Sequence, residues 1–125
     1  MNIRKILVNK FPFVIALLLF SLSGFAREYT QLGIIDAVSL PQEGRTTLML
    51  IKQGGPFPYD KDGAVFGNYE MRLPKQQRGY YHEYTVKTPR VRNRGAKRII
   101  AGGQSMTSGE YYYTDDHYES FKRIR

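Results

Sequence analysis

Three β-type runs that follow a single helical segment constrain the fold more than any other feature of this sequence. The runs cover residues 80–86, 96–102 and 110–116, and turn-rich stretches separate them. A short apolar run at 33–38, predicted to be a buried strand, precedes the helical segment, and residues 121–125 are predicted to add a final edge strand. One helix followed by successive strands predicts an α+β domain, in which an N-terminal helix packs on one face of a twisted antiparallel sheet.

The helical segment is predicted over residues 41–53. Leu48 and Ile51 lie on one apolar face at helical spacing. Ser39 and Gln42 resemble a capping box at the start of the helix, and a Gly-Gly-Pro sequence ends it. This helix is the only one predicted in the chain after its N-terminal segment.

The residue types that are absent limit the chemistry of the protein. The 125-residue chain has no cysteine, which excludes disulfide bonds, thiolate zinc sites, covalent haem attachment and a cysteine nucleophile. It has two histidines and neither an HExxH pattern nor an oxygen-rich calcium loop, so we expect no metal and no cofactor. The net charge of +8 predicts attraction to nucleic acid, an anionic polysaccharide or an anionic membrane.

The N-terminus has the three-part pattern of a secretory signal peptide. Three basic residues precede a twelve-residue apolar run at 11–22, and small residues end the segment at Ala26. An uncleaved membrane anchor is the alternative, but twelve residues fall short of the ~20 that span a bilayer core. We therefore predict a signal peptide over 1–26, cleaved near Ala26, and one mature domain over 27–125, secreted to the periplasm or the medium.

The run YYHEYTV places a glutamate in the middle of a strand. Alternation puts Glu83 on one face with Tyr81 and Thr85. The simplest interpretation is a solvent-facing residue on a half-exposed sheet. Arg94 and Arg98, just before and inside the next strand, offer another one. If Arg98 shares the face of Glu83, the cluster is either a structural ion pair or an anion-binding catalytic site, because guanidinium suits phosphate.

A histidine follows the last of the three runs. His117 lies beside Asp115 and Asp116, and carboxylates favour the protonated imidazole that a general acid needs. A base, an acid and positive charge are what metal-free phosphoryl transfer requires. The histidine and the glutamate of the preceding paragraph are therefore candidate catalytic residues.

Residues 55–79 are rich in proline, glycine, asparagine and aspartate, which predicts an ordered functional loop without regular structure. Within it, Asn68 tolerates a left-handed backbone, and Glu70 adds a carboxylate. Main-chain N–H groups and one glutamate are able to read guanine, while Phe66 and Tyr118 stack on the base. The alternative is an ordinary turn with its phenylalanine in the core.

Five segments together resemble the microbial guanyl-specific ribonucleases, the barnase-like family, and most closely its small actinobacterial-type members. The resemblance runs from about Val38 to Phe121. Its segments are GPFPYDKDG, VFGNYE, GYYHEYTV, TPRVRNRGAKRII and YYTDDHY. It implies a helix packed on an antiparallel sheet and metal-free cleavage of single-stranded RNA on the 3′ side of guanosine.

The resemblance also implies a role for each site residue. Glu83 would be the general base, Arg94 and Arg98 would bind the scissile phosphate, and His117 would be the general acid. The product would be a 2′,3′-cyclic phosphate, whose hydrolysis reverses the roles of base and acid. The guanine loop maps onto a further set of residues, with the tyrosine beside the phosphate: Phe66, Gly67, Asn68, Tyr69, Glu70 and Tyr118.

The sequence departs from its relatives at two positions of the guanine loop. Relatives usually carry arginine where this chain has Tyr69, and commonly glutamine or serine where it has Gly67. Guanine preference is expected to persist, and the lost positive charge at Tyr69 leaves the affinity as the open question. The loop between Gly102 and Glu110 is longer than in the most similar relatives, and the disulfide that many of them carry is absent.

The expected partners are single-stranded RNA and a small acidic inhibitor of the barstar type, and we expect a monomer with no membrane contact after processing. An alternative function is a basic module that binds RNA or another polyanion without cutting it. That alternative leaves unexplained why Glu83 lies within the expected phosphate-binding face. A membrane-active cationic protein is a third interpretation, but the sequence contains no amphipathic basic helix.

Overall fold

The computed structural model describes residues 32–125, so the predicted signal peptide lies outside the described residues. The elements in chain order are β1 (Gly33–Ile35), a 3-10 turn (Ala37–Ser39), α1 (Gln42–Gln53), β2 (Ala64–Phe66), β3 (Tyr81–Thr85), β4 (Arg98–Gly102), β5 (Tyr111–Thr114) and β6 (Lys122–Ile124). The predicted α+β class, one helix packed on a mostly antiparallel sheet, is confirmed. Within residues 32–125 no helix is long and apolar enough to cross a bilayer.

The six strands form one sheet in the order β1-β6-β5-β4-β3-β2. All neighbouring pairs are antiparallel except β1 and β6, which run parallel. The prediction of an edge strand at the C-terminus is therefore wrong, because β6 pairs on both sides. Main-chain hydrogen bonds continue this pairing beyond β6. The N–H of Arg125 donates to the carbonyl of Ile35 at 2.9 Å, and the N–H of Ala37 donates to the carbonyl of Arg125 at 2.9 Å.

Two further strand predictions need correction. The segment 33–38 was predicted to be one buried strand, but it divides into β1 and the 3-10 turn, and Ile34 is 61% exposed because β1 is an edge strand. The loop 55–79 contains a short strand, β2, which forms the opposite edge of the sheet beside β3. Val65 is β-branched and Phe66 is aromatic, and both residue types favour extended backbone. The strand was not predicted because turn-forming residues surround these two positions in the sequence.

The helix ends as predicted but begins differently. Gly54 is left-handed (φ 82°), and the N–H groups of Gly54 and Gly55 donate to the carbonyls of Ile51 and Leu50, which is a Schellman motif. The predicted capping box is wrong. Ser39 belongs to the 3-10 turn, and the position before the helix is taken by a proline without a side-chain cap.

Apolar side chains cover both faces of the sheet. The helix covers one face, where Leu48 and Ile51 pack on strands β3 to β6. On the other face, loop residues such as Leu73 and Phe121 pack against Tyr81, Ile100 and Tyr112 of the strands. Strands β4 and β5 are buried along their whole length. The candidate site lies on the face that the loops cover. The interpretation of Glu83 as a solvent-facing residue on a half-exposed sheet is therefore wrong.

Candidate active site

Strand register places the glutamate and the arginine of adjacent strands on the same face. Glu83 lies opposite Ile100, and Thr85 lies opposite Arg98. Residues directly opposite each other in an antiparallel pair project to the same side of the sheet. Arg98 therefore shares the face of Glu83, which is the condition that the predicted cluster required. The site occupies the face of the sheet away from the helix.

Both carboxylate oxygens of Glu83 have a hydrogen-bond donor. Oε1 accepts from Nη2 of Arg94 at 2.9 Å, and Oε2 accepts from the hydroxyl of Tyr118 at 2.8 Å. The side chain is only 15% exposed. A carboxylate held between a guanidinium and a phenol in a largely dry position has a fixed orientation, as a general base requires.

The two arginines are anchored in different ways. The Arg94 Nε donates to the hydroxyl of Thr85 at 3.0 Å, so this guanidinium is fixed by two side chains of one strand face. Arg98 is 2% exposed, and its Nη1 donates to the carbonyls of Gly95 and Lys97 at 3.0 and 2.7 Å. The sequence analysis did not identify Thr85 as the residue that anchors Arg94. Its position two residues after Glu83, which places it on the same strand face, was the available signal.

The hydroxyl of Tyr118 connects the parts of the site. It donates to Glu83 and accepts from Nε of Arg98 at 3.2 Å. Burial and, after it, the hydrogen bond and charge of Glu83 raise the pKa of Tyr118 to about 12, and Arg98 opposes that rise. Its ring stacks on Phe66, with centroids 5.1 Å apart. Tyr118 therefore stays protonated at neutral pH and links the carboxylate cluster to the loop predicted to bind guanine.

His117 lies beside this cluster in a strained turn. Its backbone N–H donates to Ala96 at 3.1 Å, and its ring centroid lies 4.8 Å from that of Tyr118. His117 and Tyr118 both have positive φ, 54° and 72°, a conformation that costs free energy in residues other than glycine. The imidazole is exposed at the edge of the cluster. This position is open to a substrate.

The aspartates beside His117 do not pair with it in the described part of the chain. Asp116 instead accepts hydrogen bonds from the hydroxyl of Thr114 and from the main chain and hydroxyl of Ser120. Those hydrogen bonds, with the Ser120 hydroxyl foremost, hold the pKa of Asp116 below its usual range. The nearest aspartate thus stabilises the turn that carries the imidazole. Within residues 32–125 no group of three or more His, Asp or Glu side chains is arranged to hold a metal ion.

Asn68 holds the guanine loop in shape. Its backbone is left-handed (φ 52°), as predicted, and the residue is buried. The side-chain amide donates to the carbonyl of Leu73 at 2.9 Å, and its oxygen accepts from the N–H of the same residue at 3.1 Å. The side chain is therefore committed to the loop itself, which leaves main-chain groups and neighbouring residues to contact a base.

Replacement of Asn68 tests this clamp. Asn68→Ala is expected to lower the free energy of unfolding by about 1–3 kcal/mol, because two buried backbone groups lose their partners and alanine is strained at positive φ. Asn68→Gly loses the same hydrogen bonds but accepts the backbone angle, so it should be about 1 kcal/mol more stable than the alanine variant. Urea unfolding monitored by tyrosine fluorescence measures both. Equal stability of the two variants would show that the angle contributes nothing.

A recess of about 110 Å³ lies next to the loop. Its lining consists of Phe66, Asn68, Tyr69, Glu70, Arg72, Tyr118 and Phe121. Glu70 is exposed at this recess and accepts from Nε and Nη2 of Arg72, at 3.2 and 2.9 Å. Gly67 is beside the recess, beneath the ring of Tyr69. The sequence analysis did not identify Arg72 as a residue of this recess. The only signal for it in the sequence is its position two residues after Glu70.

The fold and the site define a class of protein. A hydrogen-bonded carboxylate, two anchored guanidiniums and an exposed imidazole share one side of an antiparallel sheet, next to an aromatic recess. That arrangement fits enzymes that transfer a phosphoryl group by acid–base catalysis, with a base-binding subsite beside the reacting phosphate.

Comparison with known proteins gives the family. The ribonuclease family model matches residues 26–125. Guanyl-specific ribonuclease St of Saccharopolyspora erythraea is 55% identical over 88 residues, which make up 70% of this chain and 83% of that protein. Guanyl-specific ribonuclease Sa of Kitasatospora aureofaciens is 52% identical over 92 residues, which make up 74% of this chain and 93% of that protein. The chain belongs to the ribonuclease family.

Solved structures agree with this membership. A crystal structure of ribonuclease Sa2 with guanosine-2′-cyclophosphate is 45% identical to the chain, with a TM-score of 0.68. The match covers 75% of this chain and 96% of that one. A structure of ribonuclease Sa2 with 3′-GMP matches 75% of this chain and 97% of its own, with a TM-score of 0.67.

Proposed function

We propose that this protein is a guanyl-specific endoribonuclease that cleaves single-stranded RNA 3′ of guanosine through a 2′,3′-cyclic phosphate. The observation that carries the proposal is the position of Glu83, whose carboxylate lies between Arg94 and the Tyr118 hydroxyl on the face that also holds Arg98. The guanyl-specific names of the similar ribonucleases and the guanosine ligand of ribonuclease Sa2 support the choice of base.

In the first step, Glu83 accepts the proton of the 2′-hydroxyl, and the 2′-oxygen attacks phosphorus. The bond from phosphorus to the 5′-oxygen breaks, and His117 donates a proton to that leaving oxygen. Arg94 and Arg98 stabilise the negative charge that increases on the phosphoryl oxygens in the transition state. A 2′,3′-cyclic phosphate and a free 5′-hydroxyl result.

In the second step the roles of the two groups reverse. His117, now neutral, accepts a proton from water, and the water oxygen attacks the cyclic phosphate. Glu83 donates its proton to the departing 2′-oxygen, which restores both groups and leaves a 3′-phosphate. Because the chain itself supplies the base, the acid and the positive charge, we propose that neither step uses a metal ion.

A binding module without catalysis is the alternative function, and the position of Glu83 counts against it. A carboxylate next to the guanidiniums that would hold an RNA phosphate repels that phosphate and weakens binding. The same carboxylate is useful to an enzyme, because a base must lie next to the reacting phosphate. The geometry therefore favours cleavage.

The test is incubation of the purified protein with single-stranded RNA in the presence of EDTA, followed by mapping of the new 3′ ends. We expect cleavage that persists in EDTA, ends at guanosine carrying cyclic or 3′-phosphate, and a bell-shaped dependence of kcat/KM on pH. RNA in which the guanosines are 2′-O-methylated is the matched control, because it lacks the nucleophile. RNA that is bound but stays intact would support the binding module instead.

We also propose that the protein is exported and acts as a monomer. The signal-peptide pattern of residues 1–26 supports export. Because an active ribonuclease retained in the cytoplasm would endanger its own cell, we propose that the cell is protected either by export before folding or by a small acidic inhibitor of the barstar type that covers Arg94 and Arg98. Toxicity on leaderless cytoplasmic expression is the expected result, and harmless expression of active leaderless protein would contradict it.

A further inference from the structure

We propose that a hydrogen-bonded clamp of Thr114, Asp116 and Ser120 positions the imidazole of His117 beside the leaving oxygen. The clamp holds the backbone of the turn and does not touch the substrate, so its members are positioning residues. The proposal rests on the proposed function for the role of the imidazole. It assigns to Asp116 a contribution to the rate of cleavage that comes from its hydrogen bonds and not from its charge.

The imidazole of His117 has no support from other side chains except an aromatic contact. Within residues 32–125 no carboxylate lies within ion-pair distance of the ring. The ring lies against that of Tyr118, with centroids 4.8 Å apart. A histidine that is hydrogen-bonded to a carboxylate is held in place through its own ring. Here the position of the imidazole depends instead on the backbone that carries it.

That backbone is strained at two successive residues. His117 and Tyr118 have φ angles of 54° and 72°, in the left-handed region that residues other than glycine rarely adopt. One main-chain hydrogen bond, from the N–H of His117 to the carbonyl of Ala96 at 3.1 Å, connects the turn to the start of β4. Strained conformations persist only where the surrounding structure holds them. The turn therefore needs further partners.

The clamp supplies these partners from both sides of the strained pair. Oδ1 of Asp116 accepts from the hydroxyl of Thr114 and from the N–H of Ser120, both at 2.9 Å, and Oδ2 accepts from the hydroxyl of Ser120. The hydroxyl of Thr114, in turn, accepts from the N–H of Tyr118 at 3.2 Å. Thr114 is buried at the end of β5. The network thus connects residues 114 to 120 around the turn and fixes them to the sheet.

Loss of the clamp should displace the imidazole more than the neighbouring phenol. Tyr118 keeps its own anchors, because its hydroxyl bonds to Glu83 and Arg98 and its ring stacks on Phe66. His117 has no comparable anchor. A displacement of a catalytic group by about 1 Å lowers the rate by up to about 100-fold. We therefore expect a loss confined to the step in which the imidazole donates its proton.

The experiment compares Asp116→Ala with Asp116→Asn on two substrates. One is a GpN dinucleotide, and the other is a guanosine 3′-phosphate ester of a nitrophenol, whose leaving group departs without a proton. Asp116→Ala is expected to lower kcat for the dinucleotide by about 10- to 100-fold, to leave KM within about threefold, and to retain most activity on the ester. Asp116→Asn should restore most of the loss, because its amide has the shape of the carboxylate and still offers an oxygen to Thr114 and Ser120.

Two further substitutions sharpen the comparison. Asp115→Ala is the matched control, because it removes the same charge from an exposed carboxylate next to the clamp, and it should keep both activities within about threefold of the unchanged protein. Thr114→Val keeps the shape of the side chain but removes the hydroxyl between Asp116 and the N–H of Tyr118. It should impair the dinucleotide reaction selectively, and Thr114→Ser should restore it. This pair tests the clamp even if Asp116→Ala does not fold.

Three results would overturn the proposal. If the alanine and valine variants cleave the dinucleotide like the unchanged protein, the clamp does not position the imidazole. If they lose as much activity on the ester, the clamp only supports the fold. If Asp116→Asn or Asp115→Ala is as impaired as Asp116→Ala, the charge acts and not the hydrogen bonds. Each of these comparisons needs an active unchanged protein, so failure of the clamp is distinguishable from failure of the proposed function, in which the unchanged protein itself does not cleave.

Discussion

Replacement of Glu83 by glutamine is expected to lower kcat/KM for cleavage of a GpN dinucleotide by about 10²–10⁴-fold, the usual contribution of a general base. The amide has the shape of the carboxylate and still offers an oxygen to Nη2 of Arg94 and an NH₂ group to the Tyr118 hydroxyl, which bind the carboxylate at 2.9 and 2.8 Å. It cannot accept the 2′-hydroxyl proton. The loss should therefore appear in kcat, with the fold intact by circular dichroism.

Glu110 offers a matched control for the glutamate substitution. Its carboxylate also accepts hydrogen bonds from phenols, those of Tyr80 and Tyr112 at 2.5 and 2.7 Å. Neither of these phenols hydrogen-bonds to Glu83, Arg94, Arg98 or Tyr118. Glu110→Gln should keep activity within about threefold of the unchanged protein, because it alters no group in contact with substrate. If Glu83→Gln is as active as Glu110→Gln, the assignment of the base is wrong.

Replacement of His117 by glutamine is expected to lower cleavage of the same dinucleotide by a similar factor, about 10²–10⁴-fold. The physical reason is different, because in the proposed mechanism the imidazole protonates the departing 5′-oxygen. A guanosine 3′-phosphate ester of a nitrophenol has a leaving group that departs without a proton. On that substrate His117→Gln should recover most of its activity, while Glu83→Gln should remain impaired.

The second histidine provides the control for this substitution. His82 lies opposite Ala101, which belongs to the helix-side core, and so projects away from the face of Glu83. His82→Gln should therefore retain the basic limb of the pH profile of kcat/KM, whereas His117→Gln should lose it. If His117→Gln loses as much activity on the nitrophenyl ester as on the dinucleotide, the imidazole has a structural role and is not the general acid.

Several parts of the fold and the site could be predicted because their signals are local. The Gly-Gly-Pro end of the helix needed only the left-handed tolerance of glycine, and the face shared by Glu83 and Thr85 follows from the period of a strand. The resemblance to the ribonuclease family supplied the proposed roles of Arg94, Arg98 and His117, which composition and spacing alone left open.

Predictions failed where the local signal was too short, was misread, or did not reveal a distant partner. β6 was assigned to an edge because nothing in residues 121–125 reveals that β1, about ninety positions earlier, pairs with it in parallel. The capping-box prediction was wrong because Ser39 is part of the 3-10 turn and does not cap the helix. β2 was missed because three residues among turn signals are too short to show a period.

The sequence by itself therefore determined the helix, the three central strands, the absence of thiol chemistry and the identity of the residues available for catalysis. Only the tertiary structure decided that the Tyr118 hydroxyl joins Glu83 to Arg98, that Thr85 anchors Arg94, and that the Tyr69 hydroxyl accepts a hydrogen bond from Arg78. Local rules depend on residues a few positions apart, whose relative placement the backbone geometry dictates. Contacts between loops and strands depend on how the packed sheet brings together segments that no local rule relates.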